Sequence, residues 1–197
     1  MIRLTLAAAA IGLFLVGYYW GNQYRHGDGT PPAIEGVLIR PAYPLPELRL
    51  WDGAGGPFTT QHFAGHWTLL AFGDPHRTSG WRAITRLIEV YNRLAIAPDL
   101  QGKLRLALAT PAPASDLDGW SPVLRLLWGE TREMQRLQTA LGIPAPTTTP
   151  TPDQAIPGYL IGPSGRLLAL FPEAQTPAAI AADLTALAAH TDSEARP

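Results

Sequence analysis

Of the five histidines, three fall in one short stretch, with His62 and His66 at i and i+4 and His76 following. Imidazoles at that spacing can share a metal ion. No carboxylate-rich motif accompanies them, so their proximity is read as accidental, and a histidine-based metallochaperone using His62, His66 and His76 stands as the alternative. Arg77 could bind an anion where a helix N-terminus leaves its amides free, although a solvated loop arginine is the plainer reading. Ser79 could be imagined as a nucleophile, but it sits where a helix needs a cap, and no histidine–carboxylate pair shares its motif. Trp81 lies on an apolar helical stripe, which points to the core before it points to a partner. The chain has no cysteine. Disulfide exchange, thiol peroxidation, cysteine nucleophiles and thiolate metal sites are thereby excluded. No catalytic residue, metal or cofactor is expected.

The elements that position these residues follow from hydrophobic period. Leu48 to Leu50 alternates like a strand, and Asp52-Gly53 and Gly55-Gly56 signal the turn of a hairpin. Trp67 to Phe72 is an apolar run with the length of a buried central strand. After Gly73-Asp74-Pro75 a helical stripe runs through Trp81, Ile84, Leu87, Ile88, Tyr91 and Leu94, with Arg82, Arg86, Glu89 and Arg93 opposite. Leu104 to Ala109 predicts a strand parallel to the first, because a helix joins them. Thr131 can cap a helix carrying Met134, Leu137 and Leu141 and ended by Gly142. Gly158 to Ile161 and Leu167 to Phe171 form a hairpin about Pro163-Ser164-Gly165, and Thr176 with Pro177 opens a closing helix. The expected order is β, β, β-α-β-α-β-β-α, an α/β thioredoxin topology with a leading hairpin.

At 197 residues, 46% hydrophobic and 16% charged, the chain suits one folded domain with appendages. A formal net charge of -1 with no long basic run gives no case for a nucleic-acid partner. Leu4 to Trp20 is an uncharged apolar run of 17 residues ending in Tyr18, Tyr19 and Trp20. Its alanines lie inside the run and bulky aromatics follow, so no cleavage site is expected, and the segment reads as an uncleaved single span. The expected division is 1–22 membrane anchor, 23–45 Pro/Gly-rich tether, 46–190 domain and 191–197 disordered tail.

Local wording adds to period. Gly65-His66-Trp67-Thr68-Leu69-Leu70-Ala71-Phe72-Gly73-Asp74-Pro75-His76 resembles the G-K-W-x-L-L-x-F-G-x-T-H stretch of the Sco/SenC family, thioredoxin-like copper chaperones of cytochrome c oxidase assembly. Ala109-Thr110-Pro111 stands where that family often has V-D-P, and Tyr159 to Gly165 is similar to its Y-L-I-D-P-x-G. Ile156-Pro157 resembles the Ile-Pro or Val-Pro of thioredoxins and the TlpA group, whose proline is cis and faces the active-site loop.

The resemblance also locates what is missing. In the family the first stretch runs into a Cys-x-x-x-Cys copper site, and carrying the motif over puts Arg77 and Trp81 at its two cysteines, with Gln154 at its histidine ligand. A guanidinium and an indole offer copper no lone pair, and a neutral amide is a poor ligand for it. The resemblance therefore implies a degenerate member that keeps the fold and an assembly role without copper relay or thiol chemistry. Its expected partner is another membrane or periplasmic protein, an oxidase subunit or assembly factor. The expected location is a bacterial inner membrane, anchored by residues 4–20, with the body in the periplasm. His76, Arg77, Ser79, Trp81, Ile156 and Pro157 are the expected partner-binding groove.

Overall fold

A computed structural model describes residues 32–114, 117, 121–143 and 157–194. The anchor expected at 4–20 falls outside them; among the described residues no helix is long and apolar enough to cross a membrane. Eight strands form one mixed sheet in the order β1-β8-β7-β4-β5-β6-β2-β3. These are β1 (Val37–Pro44), β2 (Arg49–Asp52), β3 (Pro57–Thr59), β4 (Trp67–Phe72), β5 (Leu104–Ala109), β6 (Leu124–Trp128), β7 (Gly158–Ile161) and β8 (Arg166–Phe171). Among the described residues four α-helices accompany them: α1 (Thr78–Arg93), α2 (Pro98–Lys103), α3 (Thr131–Ala140) and α4 (Pro177–Glu194). The three central strands β4, β5 and β6 are parallel, and every other pairing is antiparallel. This is a thioredoxin-like α/β fold.

Strand alternation divides the core between the two sheet faces. Leu69 and Ala71 of β4 and Leu106 and Leu108 of β5 face α1 and α4, where Ile84, Leu87, Ile180 and Leu184 meet them. Leu70, Ala107 and Leu127 face the other way, toward Met134 and Leu137 of α3 and toward Leu50 and Phe58 of the leading hairpin. Gly142 ends α3 as expected: at φ +74 it donates its N–H to the Thr139 carbonyl, while Ile143 donates to Gln138. Those two hydrogen bonds satisfy carbonyls the helix end would leave open. Thr176 caps α4, its hydroxyl accepting the Ala179 N–H at 3.2 Å.

Several expectations need correction. The tether does not run to residue 45, because Val37–Pro44 is an edge strand on β8. Its prolines are tolerated there since an edge strand need not donate every N–H to a neighbour. The final helix continues to Glu194, so the tail does not begin at 191. β6 lies beyond the expected order as well, pairing in parallel with β5 from Leu106↔Leu124 to Ala109↔Leu127. Thr131 is not the cap of α3; Glu130 is. Arg86 is not on a solvated face: its guanidinium Nη2 donates to the Pro172 carbonyl and, at 3.0 Å, to the Gln175 carbonyl. Burial lowers its pKa, with Glu173 opposing the shift.

Asp183 explains why the sheet reaches back beyond residue 46. Only 5% exposed on α4, it accepts the Glu35 N–H at 3.1 Å, the Gly36 N–H at 2.9 Å and the Gln175 amide at 2.6 Å. Removing the carboxylate strands three donors in a partly buried setting. Asp183→Ala should therefore cost about 2 to 4 kcal/mol in urea unfolding. It should also open the Glu35–Gly36 bond, whose N–H groups Asp183 holds, to a glutamate-specific protease under native conditions, and retention of native resistance would show that β1 is held by its ladder alone.

Candidate functional site

The loop after β4 is built by backbone contact and one carboxylate. Gly73 continues the ladder by donating its N–H to the Ala109 carbonyl at 3.1 Å. A Cβ on Gly80, in the first turn of α1, would stand 1.9 Å from the Asp74 carbonyl oxygen, so only glycine lets the helix press on the Asp74–Pro75 peptide. Asp74 then organises the turn. Its Oδ1 accepts the His76 N–H at 3.0 Å, its carbonyl accepts the Arg77 N–H at 2.9 Å, and its Oδ2 lies 3.3 Å from Arg77 Nε. That ion pair is mostly in solvent, with 78% of the Arg77 side chain exposed, so its contribution is small.

Arg77 is the N-cap of α1, with extended backbone and no side-chain cap bond. Ser79 is therefore not the cap; it is the second helical residue. The Trp81 N–H donates to the Arg77 carbonyl at 3.1 Å, placing these two positions one above the other at the helix start. Trp81 is 40% exposed, so the core expectation for it is overturned. The stripe that buries Ile84 and Leu87 does not extend to the first turn, where α1 overhangs the end of β4.

Antiparallel pairing of β7 with β4 matches Leu70 to Tyr159, and continuing that register places Pro157 across from Phe72. Pro157 thus stands at the same sheet end as His76, Arg77, Ser79 and Trp81. Ile156 and Gln154 lie outside the described residues, and so does the expected cis bond at Ile156–Pro157. Beside the loop, a cavity of about 300 Å³ is lined by Phe72, Gly73, Asp74, Pro111, Thr131 and Met134 among others. Tyr159 meets Phe72 edge-on at 6.1 Å, and burial pushes its phenol up to about 12, so it stays neutral at physiological pH.

The three histidines do not converge. His66 precedes β4 and His76 follows it, and six strand residues separate the two by roughly 20 Å. Among the described residues, no three histidine, aspartate or glutamate side chains are grouped to hold a metal ion. Each imidazole near the start of β4 has local work: His62 Nδ1 accepts the Thr59 N–H at 2.9 Å, and His66 Nδ1 lies 3.1 Å from the Ala64 carbonyl.

Sequence reasoning missed Gly80 and Asp74 as the residues that shape the loop. A glycine inside the first turn of an otherwise good helix is the signal for the first. An aspartate two residues before an exposed turn N–H is the signal for the second.

No family model matches the chain. No curated protein matches it either. Solved structures do. The chain is similar to the copper-bound ScoI of Bradyrhizobium japonicum, at 24% identity and TM-score 0.56, covering 72% of this chain and 98% of that one. It is also similar to the apo Sco1 protein of Thermus thermophilus, at 17% identity and TM-score 0.60, covering 81% and 99%. A third likeness is to BsSco, described as a member of the Sco family of cytochrome c oxidase assembly proteins, at 16% identity and TM-score 0.60, covering 79% and 98%. The structural neighbours are Sco/SenC proteins, and a chain of their fold with no cysteine fits a degenerate form that lacks the Cys motif.

Proposed function

We propose that this chain is a membrane-anchored, non-redox, Sco-like protein that assists cytochrome c oxidase biogenesis by binding another protein, an oxidase subunit or an assembly factor. Its place is a bacterial inner membrane, with residues 4–20 as the anchor and the body in the periplasm. One observation carries the reading. The fold spans nearly the whole length of the Sco structures, yet the two positions that the Sco resemblance assigns to cysteine hold Arg77 and Trp81, and the chain has no sulfur nucleophile. Loss of those donors removes copper and thiol chemistry while the loop that carried them remains built, so docking is the activity left to it.

The docking surface in this reading is His76, Arg77, Ser79, Trp81, Ile156 and Pro157. His76 and Arg77 are exposed, and Trp81 offers an indole face of the kind that anchors interfaces. Arg77→Glu and Pro157→Ala should each reduce partner recovery from native membranes by about fivefold or more, while Arg132→Glu on α3 leaves it unchanged. All three variants are checked for folding first. Equal recovery with all of them would move the interface elsewhere.

A further inference from the structure

The opposite end of the sheet carries a second concave site, and it is basic. Arg105 and Arg125 are the second residues of β5 and β6. Arg125 pairs with Ala107, and Arg105 lies two residues before Ala107 on the same strand, so both side chains leave the sheet on the α3 face. Lateral strand spacing and two residues of offset put their Cα atoms roughly 8 Å apart. No residue of α3 reaches this region; a groove of about 540 Å³ opens instead, with the turn after β2 and the segment Thr60–Phe63 as its far wall.

The groove is organised for anions. The Arg125 guanidinium sits over the Phe58 ring at 5.8 Å, and His62 stacks on the same ring at 5.0 Å. An arginine fixed on an aromatic face loses less freedom when it binds than a free one does. Arg105 is held by the Gly102 and Leu104 carbonyls through Nη1 at 3.1 and 3.4 Å, which leaves the remainder of its donor fork. His62 Nδ1 accepts the Thr59 N–H at 2.9 Å, which leaves Nε2 as the ring nitrogen able to donate to a ligand. Among the described residues no carboxylate forms an ion pair with either arginine. The one acidic residue in the lining, Asp52, spends its Oδ1 on the Gly56 N–H at 2.7 Å.

We infer that this groove is a binding site for a small ligand with two oxyanion groups, phosphate or carboxylate, held between Arg105 and Arg125 against the Phe58 wall. Two arginines from neighbouring strands lining one groove suit a ligand with two anionic groups, each met by the donors left to its arginine. The site is independent of the loop after β4 and of the docking role assigned to it.

Inorganic pyrophosphate is the probe, titrated calorimetrically into the full chain in neutral detergent at low salt. The expected result is saturable binding with a Kd of about 1 mM or tighter. Arg105→Gln or Arg125→Gln should weaken it about tenfold, the double variant should abolish it, and Arg132→Gln should leave it unchanged. The lysine variants at 105 and 125 keep charge but lose the fork, so partial retention is expected, and equal far-ultraviolet spectra show that every variant is folded. Repeating the titration with cardiolipin, whose headgroup carries two phosphates, against micelles matched in charge with a single-phosphate lipid names the source: pyrophosphate binding weakened by cardiolipin alone identifies a lipid headgroup, and equal binding in both identifies a free anion, each in support of the site. Absence of saturable heat, or binding that survives the double glutamine variant, overturns it.

Discussion

Replacing Arg77 and Trp81 together by cysteine should raise the affinity of the chain for Cu(I) by roughly a hundredfold or more over the native protein. Arg77 is the N-cap of α1 and Trp81 is hydrogen-bonded to it one turn later, so the two Cβ atoms lie about 6 Å apart on the same side of the helix start. Thiols there would be exposed to solvent and close to free backbone amides, which favours the thiolate. Two thiolates at that separation can close on a soft monovalent ion, whereas a guanidinium and an indole cannot ligate it at all. Either single cysteine supplies one donor and should gain little. Competition against a chelating probe measures the change, and thiol alkylation without copper verifies that both sulfurs are accessible. If the double variant competes no better than the native chain, the loop after β4 does not hold two thiolates in a geometry that copper can use.

How far the sequence carried the structure can be seen in individual elements. β4, α1 and the β7–β8 hairpin were legible because a buried run, a clean helical stripe and Pro163-Ser164-Gly165 each have one dominant local cause. β1 was hidden because Pro41 and Pro44 read as tether, while the residue that holds its start, Asp183, lies some 147 positions away at Gly36. No local pattern contains that bond. β6 was missed because its five residues, set between Pro122 and Gly129, are too few to show a period. The site shows the same division. Motif wording pointed to the loop after β4, and the register of β7 on β4 carries Pro157 to the same end of the sheet. Trp81 was misread because a helical stripe says which way a residue points but not where the strand beneath it ends. Arg105 and Arg125 were invisible as a pair, since only the parallel register of β5 and β6 brings them to one face.

The same chain should answer two glycine-to-alanine changes with opposite signs, and the larger effect tests how the candidate loop is held. Gly102 is helical in α2, and a Cβ there meets nothing within 4 Å. Gly102→Ala should stabilise the protein by about 0.5 to 1 kcal/mol through helix propensity and a more restricted unfolded chain. At Gly80 the added atom would lie 1.9 Å from the Asp74 oxygen, 2.4 Å from its carbon and 2.9 Å from the Pro75 nitrogen. All three are backbone atoms, so no rotamer change relieves the clash. The Asp74 carbonyl and carboxylate are also committed to the Arg77 and His76 N–H groups, and Gly73 is tied to Ala109. Relief therefore requires moving the helix start off β4 or breaking the turn. Gly80→Ala should cost about 3 kcal/mol or more despite the propensity gain that alanine brings to a helix. Urea unfolding of the full chain in detergent, followed by tryptophan fluorescence, measures both changes. A Gly80→Ala variant as stable as the native chain would mean that α1 and the loop can separate without loss, and the contact could then not be what presents His76 and Arg77 to a partner.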